Sequence, residues 1–236
     1  MYSTCPGMGQ TGCMCGRLAG PGEREIIDAF DVRVVTTRIT ESWDVRPTQQ
    51  VGIVVEDTAA AARESRDVTR ELRAARWGLI PYWSKAFDKR LLLINARSET
   101  VLSKPSFRVA ARQRRAIVPA SGYYEWQTNP DRTKTPFFLH DPDAAVIGFA
   151  GLYEWWRVPD GTLLPGADDG WLCSTTIITK PALDCLGHIH DRMPVVIPAA
   201  MTDIWLDPQL TDTDEVDMLL HSVPDPVLVP TPRAPK

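Results

Sequence analysis

"RAIVPASGYYEWQ" (residues 115–127) is a strand signal, and three more follow it closely: "PFFLHD" (136–141), "AVIGFAGLYEWWRV" (145–158) and "GWLCSTTIIT" (170–179). All four are rich in β-branched and aromatic side chains and are bounded by Gly, Pro, Asp and Asn. Strands outnumber helices here and do not alternate with them, which argues against a doubly wound parallel sheet. The expected fold is α+β: a single domain with a curved, mostly antiparallel, barrel-like sheet flanked by short helices. "GYYEW" (122–126) returns as "GLYEW" (151–155) after 29 residues. Two similar strands of one sheet explain the echo without a repeat fold.

Outward from this block the signals are shorter. "GEREIIDAFDV" (22–32) suits a helix and "VGIVVED" (51–57) a strand. "TAAAARESRDVTRELRAAR" (58–76) reads as a helix or a polar excursion, and "RWGLIPYW" (76–83) as a short strand ending at Pro81. "SETVLSKPSFRVAARQRR" (98–115) suits two short helices, with Pro105 at a helix start. "PALDCLGHIH", "AAMTDIWL" and "TDEVDMLLHSV" read as helical. The tail "PDPVLVPTPRAPK" (224–236) has five prolines and is expected to be extended or disordered, making 223–236 a flexible Pro-rich tail.

The chain of 236 residues is 44% hydrophobic and 24% charged, as an ordinary globular domain is. No apolar run reaches the roughly 18 residues of a membrane span, and the N-terminal stretch has neither the basic nor the apolar region of a secretory signal. Five cysteines at irregular spacing suit reduced thiols. The expectation is a cytoplasmic monomer without membrane attachment. Net charge is −4, yet residues 85–115 hold nine basic side chains against two acidic ones. A local basic face of that kind is what phosphates feel; a solvated helix face is the plainer alternative.

The residues with most chemical promise lie near the start. "GCMCGRLAG" (12–20) contains Met14-Cys15-Gly16-Arg17, which reads like the opening of a protein, behind thirteen residues without a charged side chain. Residues 1–14 are therefore expected to be an extension, absent from the mature protein through a start at Met14 or removed by cleavage of the Met14–Cys15 bond. A terminal Cys15 would be a special reagent. An α-amine titrates near about 7.7–8.0 against about 10.4 for lysine, so its nucleophilic fraction at neutral pH is roughly several hundredfold larger. The amine condenses with an aldehyde, and the thiol of the same residue then closes a five-membered thiazolidine at high effective molarity. An internal cysteine has only an amide nitrogen and can do neither. Alternatives are a buried small side chain, a metal ligand within "CMC", which lacks a partner pair at ligand spacing, and the terminal Cys-Gly of a class II glutamine amidotransferase, where an apolar residue usually stands in place of Arg17.

"RWGLIPYW", "INARSETV", "KPSFR", "PASGYYEW" and "HIHDRMPVVI" follow "MCGR" in that order. The set resembles the SOS-response-associated peptidase (SRAP) family, whose members crosslink to abasic sites in single-stranded DNA. The resemblance covers most of the chain from Cys15, giving an expected domain of 15–222. It implies Cys15 as nucleophile, Asn95 and Arg97 as holders of the sugar and its flanking phosphate, Glu125 as general acid–base and His190 as proton donor to the sugar oxygen. Glu154 rivals Glu125, and His188 rivals His190; only the family motifs select between them. Arg17, Trp77, Trp83, Arg97, Arg108 and Arg192 are the expected DNA contacts, phosphate from arginines and stacking from aromatic rings. Neither a metal nor an organic cofactor is called for.

One departure stands out. The family often has "YNVAPT" where this chain has "WDVRPTQ" (43–49), so Asp44 and Arg46 add an acid and a base that are expected to offset one another at the DNA edge. Three function classes remain in view: a suicide crosslinker of abasic sites, a thiol peptidase or amidotransferase, and a non-catalytic single-strand-binding protein.

Overall fold

The computed structural model describes residues 16–56, 69–88 and 92–235. In chain order its strands are β1 (Leu18–Gly20), β2 (Val34–Val35), β3 (Ser42–Val45), β4 (Gln50–Glu56), β5 (Arg70–Trp77), β6 (Asn95–Arg97), β7 (Arg115–Ala120) and β8 (Gly122–Thr128). They continue with β9 (Lys134–His140), β10 (Ile147–Arg157), β11 (Ala167–Asp168), β12 (Trp171–Pro181), β13 (Arg192–Pro194), β14 (Val196–Ile197) and β15 (Val229–Pro232). Helices are short: α1 (Glu23–Phe30), α2 (Arg108–Gln113), α3 (Asp184–Gly187), α4 (Thr202–Leu206) and α5 (Thr213–Ser222). None is long and apolar enough to cross a membrane.

Five strands close on themselves in the order β12-β10-β7-β4-β5, and β5 returns to β12 in parallel through Ser174–Arg76 and Thr175–Trp77. The other links of the ring are antiparallel. Alternation along each strand sends one set of side chains inward: Val51, Ile53 and Val55; Ala75 and Trp77; Ala116, Val118 and Ala120; Ile147, Phe149 and Tyr153; Cys173 and Ile177. The intervening set, including Val54, Leu72, Ile117, Leu152 and Ile178, packs under helices through Ile26, Phe30, Ala110, Trp205 and Leu219. With both faces buried, these strands read as continuous apolar runs. A second sheet, β15-β9-β8-β1-β3, shares the inner core through Leu18, Tyr123 and Leu139. The fold is the expected single α+β domain with a barrel.

The two sheets are joined where β7 hands over to β8. Ala120 still pairs with Ile147 of the barrel, Ser121 donates its N–H to the Ala19 carbonyl at 2.8 Å, and Gly122 already pairs with Ala19 of β1. Gly122 has φ +155, and a Cβ there would lie 2.5 Å from both the Leu139 carbonyl oxygen and the Phe138 ring. Only glycine lets the chain cross so close to β9. Consequently "GYYEW" and "GLYEW" do not share a sheet. The first is β8 of the outer sheet and the second belongs to β10 of the barrel.

Several local expectations change. Arg70–Trp77 is a full strand, because Ala75 and Trp77 fill the barrel interior and Leu72 packs under the helices, whatever the helix propensity of Arg and Ala; residues 58–68 lie outside the described residues. Only one helix forms in 98–115. Residues ahead of it make turns, with Lys104 and Phe107 bonded to Thr100 and Lys104 carbonyls. The tail is not loose: β15 pairs with β9 from Val229–His140 to Pro232–Phe137, and Leu228 joins the inner core. Its prolines are tolerated because β15 is an edge strand, where missing N–H groups face no neighbour. A clamp ties β13 to the turn after β6: the Arg192 guanidinium is bonded to both Glu99 carboxylate oxygens and, at 2.6 Å, to the Thr179 carbonyl.

Two outcomes are expected from these contacts. Gly122→Ala should lower unfolding free energy by about 3 kcal/mol in urea titrations, through clash plus strain. Gly161→Ala, at φ +76 with open space around it, should cost only about 1 kcal/mol. The hydrogen bonds from Arg192 hold the Glu99 carboxyl at about 2, down from 4.5. Because the folded value is the lower one, the pair stabilises the fold above about pH 4.5 and that contribution disappears as pH falls towards 2. Glu99 is half exposed, so the expected loss is about 1 kcal/mol, seen in acid-dependent unfolding as a slope that Glu99→Gln removes.

Candidate active site

Glu125 is set by its strand. Tyr123, Glu125 and Gln127 share one face of β8 by strand alternation. Tyr123 meets Phe149 edge-on at 5.8 Å in the inner core, and Gln127 donates through Nε2 to the His188 carbonyl at 3.3 Å. Glu125 lies between them, 5% exposed. On the opposite face Tyr124 packs with Phe138, flanked by Trp43 and Trp126. β1 runs antiparallel beside β8, with Leu18 opposite Tyr123, and the Tyr124 N–H donates to the Arg17 carbonyl at 2.9 Å. The chain leading into β1 thus approaches along Glu125. Cys15 itself lies outside the described residues.

Three further elements converge on the same core. Ile94, just ahead of Asn95, Leu186 of α3 and Met193 of β13 pack with Leu18 and Tyr123. β6 lies parallel to β12, Asn95 opposite Ile177 and Arg97 opposite Thr179. Arg97 is exposed and Asn95 half-buried. His190 follows α3. Its Nδ1 is 3.1 Å from the Arg192 N–H and 2.9 Å from Asp191 Oδ1. A neutral ring accepts from the amide at Nδ1 and carries its proton on Nε2 as a donor; a charged ring donates Nδ1–H to Asp191. His188 is exposed, and its carbonyl, not its ring, is what holds the loop to β8. Asn95, Glu125 and His190 are therefore supported by one core.

The rival carboxylate has a different occupation. Glu154 is 2% exposed and accepts from Arg114 at 2.7 Å; burial pushes its carboxyl up despite that partner. It faces Arg114 on the barrel, away from β8.

Arg17 is half-buried, bonded to Asp44 at 2.8 Å with its guanidinium 5.7 Å from the Trp126 ring centre. Asp44 also accepts from Arg46 at 2.6 Å, and the Arg46 hydrogen bond is the main reason its carboxyl is held low. One carboxylate bridges two guanidiniums, so the two unusual residues do pair, and Arg17 joins them.

Two expected DNA contacts need correction. Trp77 is fully buried, its indole N–H donating to the Ile94 carbonyl at 3.0 Å, because β5 points it into the barrel. Arg192 is 8% exposed and committed to Glu99 and Thr179; it positions β13 and leaves no open face for a phosphate. Trp83 and Tyr82 are about half exposed in the loop after β5, which the Leu79–Leu93 bridge ties to the segment leading into Asn95. Arg108 is exposed on α2, whose Ala110 and Ala111 join the helix-covered core. The basic stretch is only partly a surface: Arg115 is buried among the carbonyls of Trp205, Asp207, Ala111 and Arg112, and Arg114 serves Glu154. Lys89 and Arg90 lie outside the described residues. Among the described cysteines, burial pushes the Cys173 thiol up to about 12, which makes it a poor nucleophile. Glu99 and Gln127 were missed from the sequence, since pairing across 93 and 61 residues leaves no local signal.

A family model described as SOS response associated peptidase (SRAP) matches residues 14–232. The abasic site processing proteins YoqW and YoaM of Bacillus subtilis are 35% and 34% identical over 211 and 210 residues. Each alignment covers 88% of this chain, with 87% of YoqW and 85% of YoaM. A crystal structure from Bordetella bronchiseptica superposes with a TM-score of 0.73 at 22% identity, covering 93% of this chain and 100% of that one, and supports the fold. With the ordered motifs gathered on one core and the family match spanning nearly its whole length, the chain belongs to the SOS response associated peptidase (SRAP) family.

Proposed function

We propose that this protein processes abasic sites in single-stranded DNA by forming a covalent thiazolidine between Cys15 and the ring-opened sugar, which shields the lesion. The observation that carries the reading is the β1–β8 register: Leu18 opposite Tyr123 and Arg17 bonded to Tyr124 direct the preceding chain along Glu125. Family membership and the names of YoaM and YoqW support it. Cys15 acts from the chain terminus, after residues 1–14 are absent or removed; the family match beginning at residue 14 favours this boundary.

The steps balance as follows. His190 Nε2–H donates to the ring oxygen of the abasic sugar as its anomeric hydroxyl loses a proton, giving the open aldehyde. The Cys15 amine adds to C1′, and the carbinolamine expels water with Glu125 supplying and then recovering a proton. The thiol next adds across the imine, its proton passing to the nitrogen, and the five-membered ring closes. Asn95 and Arg97 hold the sugar and its flanking phosphate, Arg17 and Arg108 contribute phosphate contacts, and Trp83 stacks on a neighbouring base. A missing base offers nothing to read, so binding is weakly sequence-selective and weakens as salt rises.

Incubating Cys15-terminated protein with an abasic single-stranded oligonucleotide should give a heat-stable adduct visible on a denaturing gel. Cys15→Ala should give none, and Cys15→Ser only an imine that borohydride traps. Absence of adduct from protein whose mass confirms the Cys15 terminus would overturn the proposal. Glu125→Gln should slow adduct formation about a hundredfold with oligonucleotide affinity unchanged, measured by fluorescence anisotropy.

A further inference from the structure

The face of the outer sheet that turns away from the inner core carries a floor of aromatic rings. Tyr124 and Trp126 of β8, Phe138 of β9 and Trp43 of β3 pack together with Ala19 of β1. In the sheet β9 and β3 are separated by β8 and β1. The small Ala19 side chain leaves room for Trp43 to reach across and meet Phe138 at 5.8 Å. Two guanidiniums lie on this floor. That of Arg17 is 5.7 Å from the Trp126 ring centre, and that of Arg233 is 4.7 Å from Trp43 and 5.8 Å from Phe138.

Charge is the second observation. Arg46 joins Arg17 on the Asp44 carboxylate, and its side chain is 56% exposed. Alternation along β9 puts the exposed Lys134 on the same side as Phe138. Four cations, Arg17, Arg46, Lys134 and Arg233, thus stand against two carboxylates, Asp44 and Glu41, the latter accepting the Trp43 indole N–H at 2.7 Å. The face is locally positive on a chain whose net charge is −4. Among the described residues, no carboxylate pairs with Arg233. An arginine laid on an aromatic ring is already ordered and keeps its N–H edge for phosphate oxygens. Cations set among aromatic rings on an open sheet face are the composition that tracks a single-stranded backbone.

We propose that this face is a second docking surface for single-stranded DNA, on which Arg17, Arg46 and Arg233 hold phosphates of the strand flanking the lesion. The inference rests on abasic single-stranded DNA as the substrate and assigns a path to the undamaged strand beside it. Arg17 is two residues from Cys15 in the chain, so a strand whose sugar reaches Cys15 passes onto this face. Arg46 belongs to the departure from the usual family pattern, and Arg233 follows β15, the strand formed by the proline-rich tail. The surface is therefore assembled from elements that sit outside the motifs of the reaction centre, and it takes phosphates without reading bases.

Fluorescence anisotropy of the intact protein with an undamaged oligo-dT of about 20 nucleotides, titrated between about 50 mM and about 1 M salt, tests the face. Such a strand carries no aldehyde and does not engage Cys15. Each phosphate contact on a single strand adds about 0.7 to the slope of log affinity against log salt. Arg233→Gln and Arg46→Ala should each lower that slope by about 0.7, which makes binding about eightfold weaker at the low-salt end relative to the high-salt end. Arg233→Lys should keep the slope. Arg24→Gln, which removes an exposed charge from α1, should leave it at the wild-type value. Should Arg233→Gln melt early, Arg46→Ala decides, because Arg46 is exposed and Arg17 keeps its bond to Asp44 without it. A protein that binds the undamaged strand through these arginines and forms no adduct with an abasic one overturns the crosslinking reading alone. A wild-type slope in folded Arg233→Gln or in Arg46→Ala, or an equal fall in Arg24→Gln, would overturn the second surface.

Discussion

The close crossing of the main chain at Gly122 governs the rest of this molecule. β7 belongs to the barrel and β8 to the outer sheet, with a single residue between them. Gly122, the first residue of β8, passes so near Leu139 and Phe138 that a methyl group would not fit. The crossing does more than turn the chain. It takes a Tyr-Glu-Trp strand off the helix-covered barrel and lays it between β1 and β9, so that Glu125 sits beside the chain entering β1. The barrel then acts as a rigid base, and the inner core shared by both sheets carries its rigidity to Asn95, Glu125 and His190.

The two similar strands show how context assigns work to identical side chains. Glu125 and Glu154 are each a buried glutamate between a Tyr and a Trp. Glu154 points to the helix-covered side, where Arg114 at the end of α2 meets it. The pair is a piece of architecture, for a buried carboxylate needs a matched cation. Glu125 points to the inner face, flanked by Tyr123 and by Gln127, which anchors the loop carrying His190. The sequence of either strand is compatible with both roles. What differs is the neighbour brought in by topology.

How far the sequence could be read follows from the same distinction. The four long strands, α1 and α5 were legible because alternation, β-branched content and caps are local: Asp212 accepts from the N–H groups of Asp214 and Glu215, and Glu25 reaches back to Gly22. β5 reads as a helix or a polar excursion because its Arg and Ala residues favour a helix, and only the ring closure with β12 makes them a strand. β15 reads as a loose tail because prolines hide an edge strand that exists only when β9 is beside it. In the site, the ordered motifs led to Asn95, Glu125 and His190, which one core supports. The tryptophan and arginine contacts were less legible, since exposure is a tertiary property: Trp77 and Trp83 are six residues apart, one fully buried and the other open.

Charge on the outer sheet follows a similar logic. A chain of net charge −4 meets a polyanion only through local arrangement. Much of the basic stretch before β7 proves structural, with Arg114 and Arg115 spent on Glu154 and on backbone carbonyls. On the Trp126 face of β8 the cations are Arg17 and Arg46, and Asp44 stands between them. One carboxylate cannot neutralise two guanidiniums, so the trio keeps a net positive charge while its members are held in fixed orientation. Fixing a cation in advance lowers the entropy lost when a phosphate arrives. The acid that departs from the usual family pattern thus orients Arg17 on the rim of Trp126, and the added Arg46 restores the charge that the acid removes.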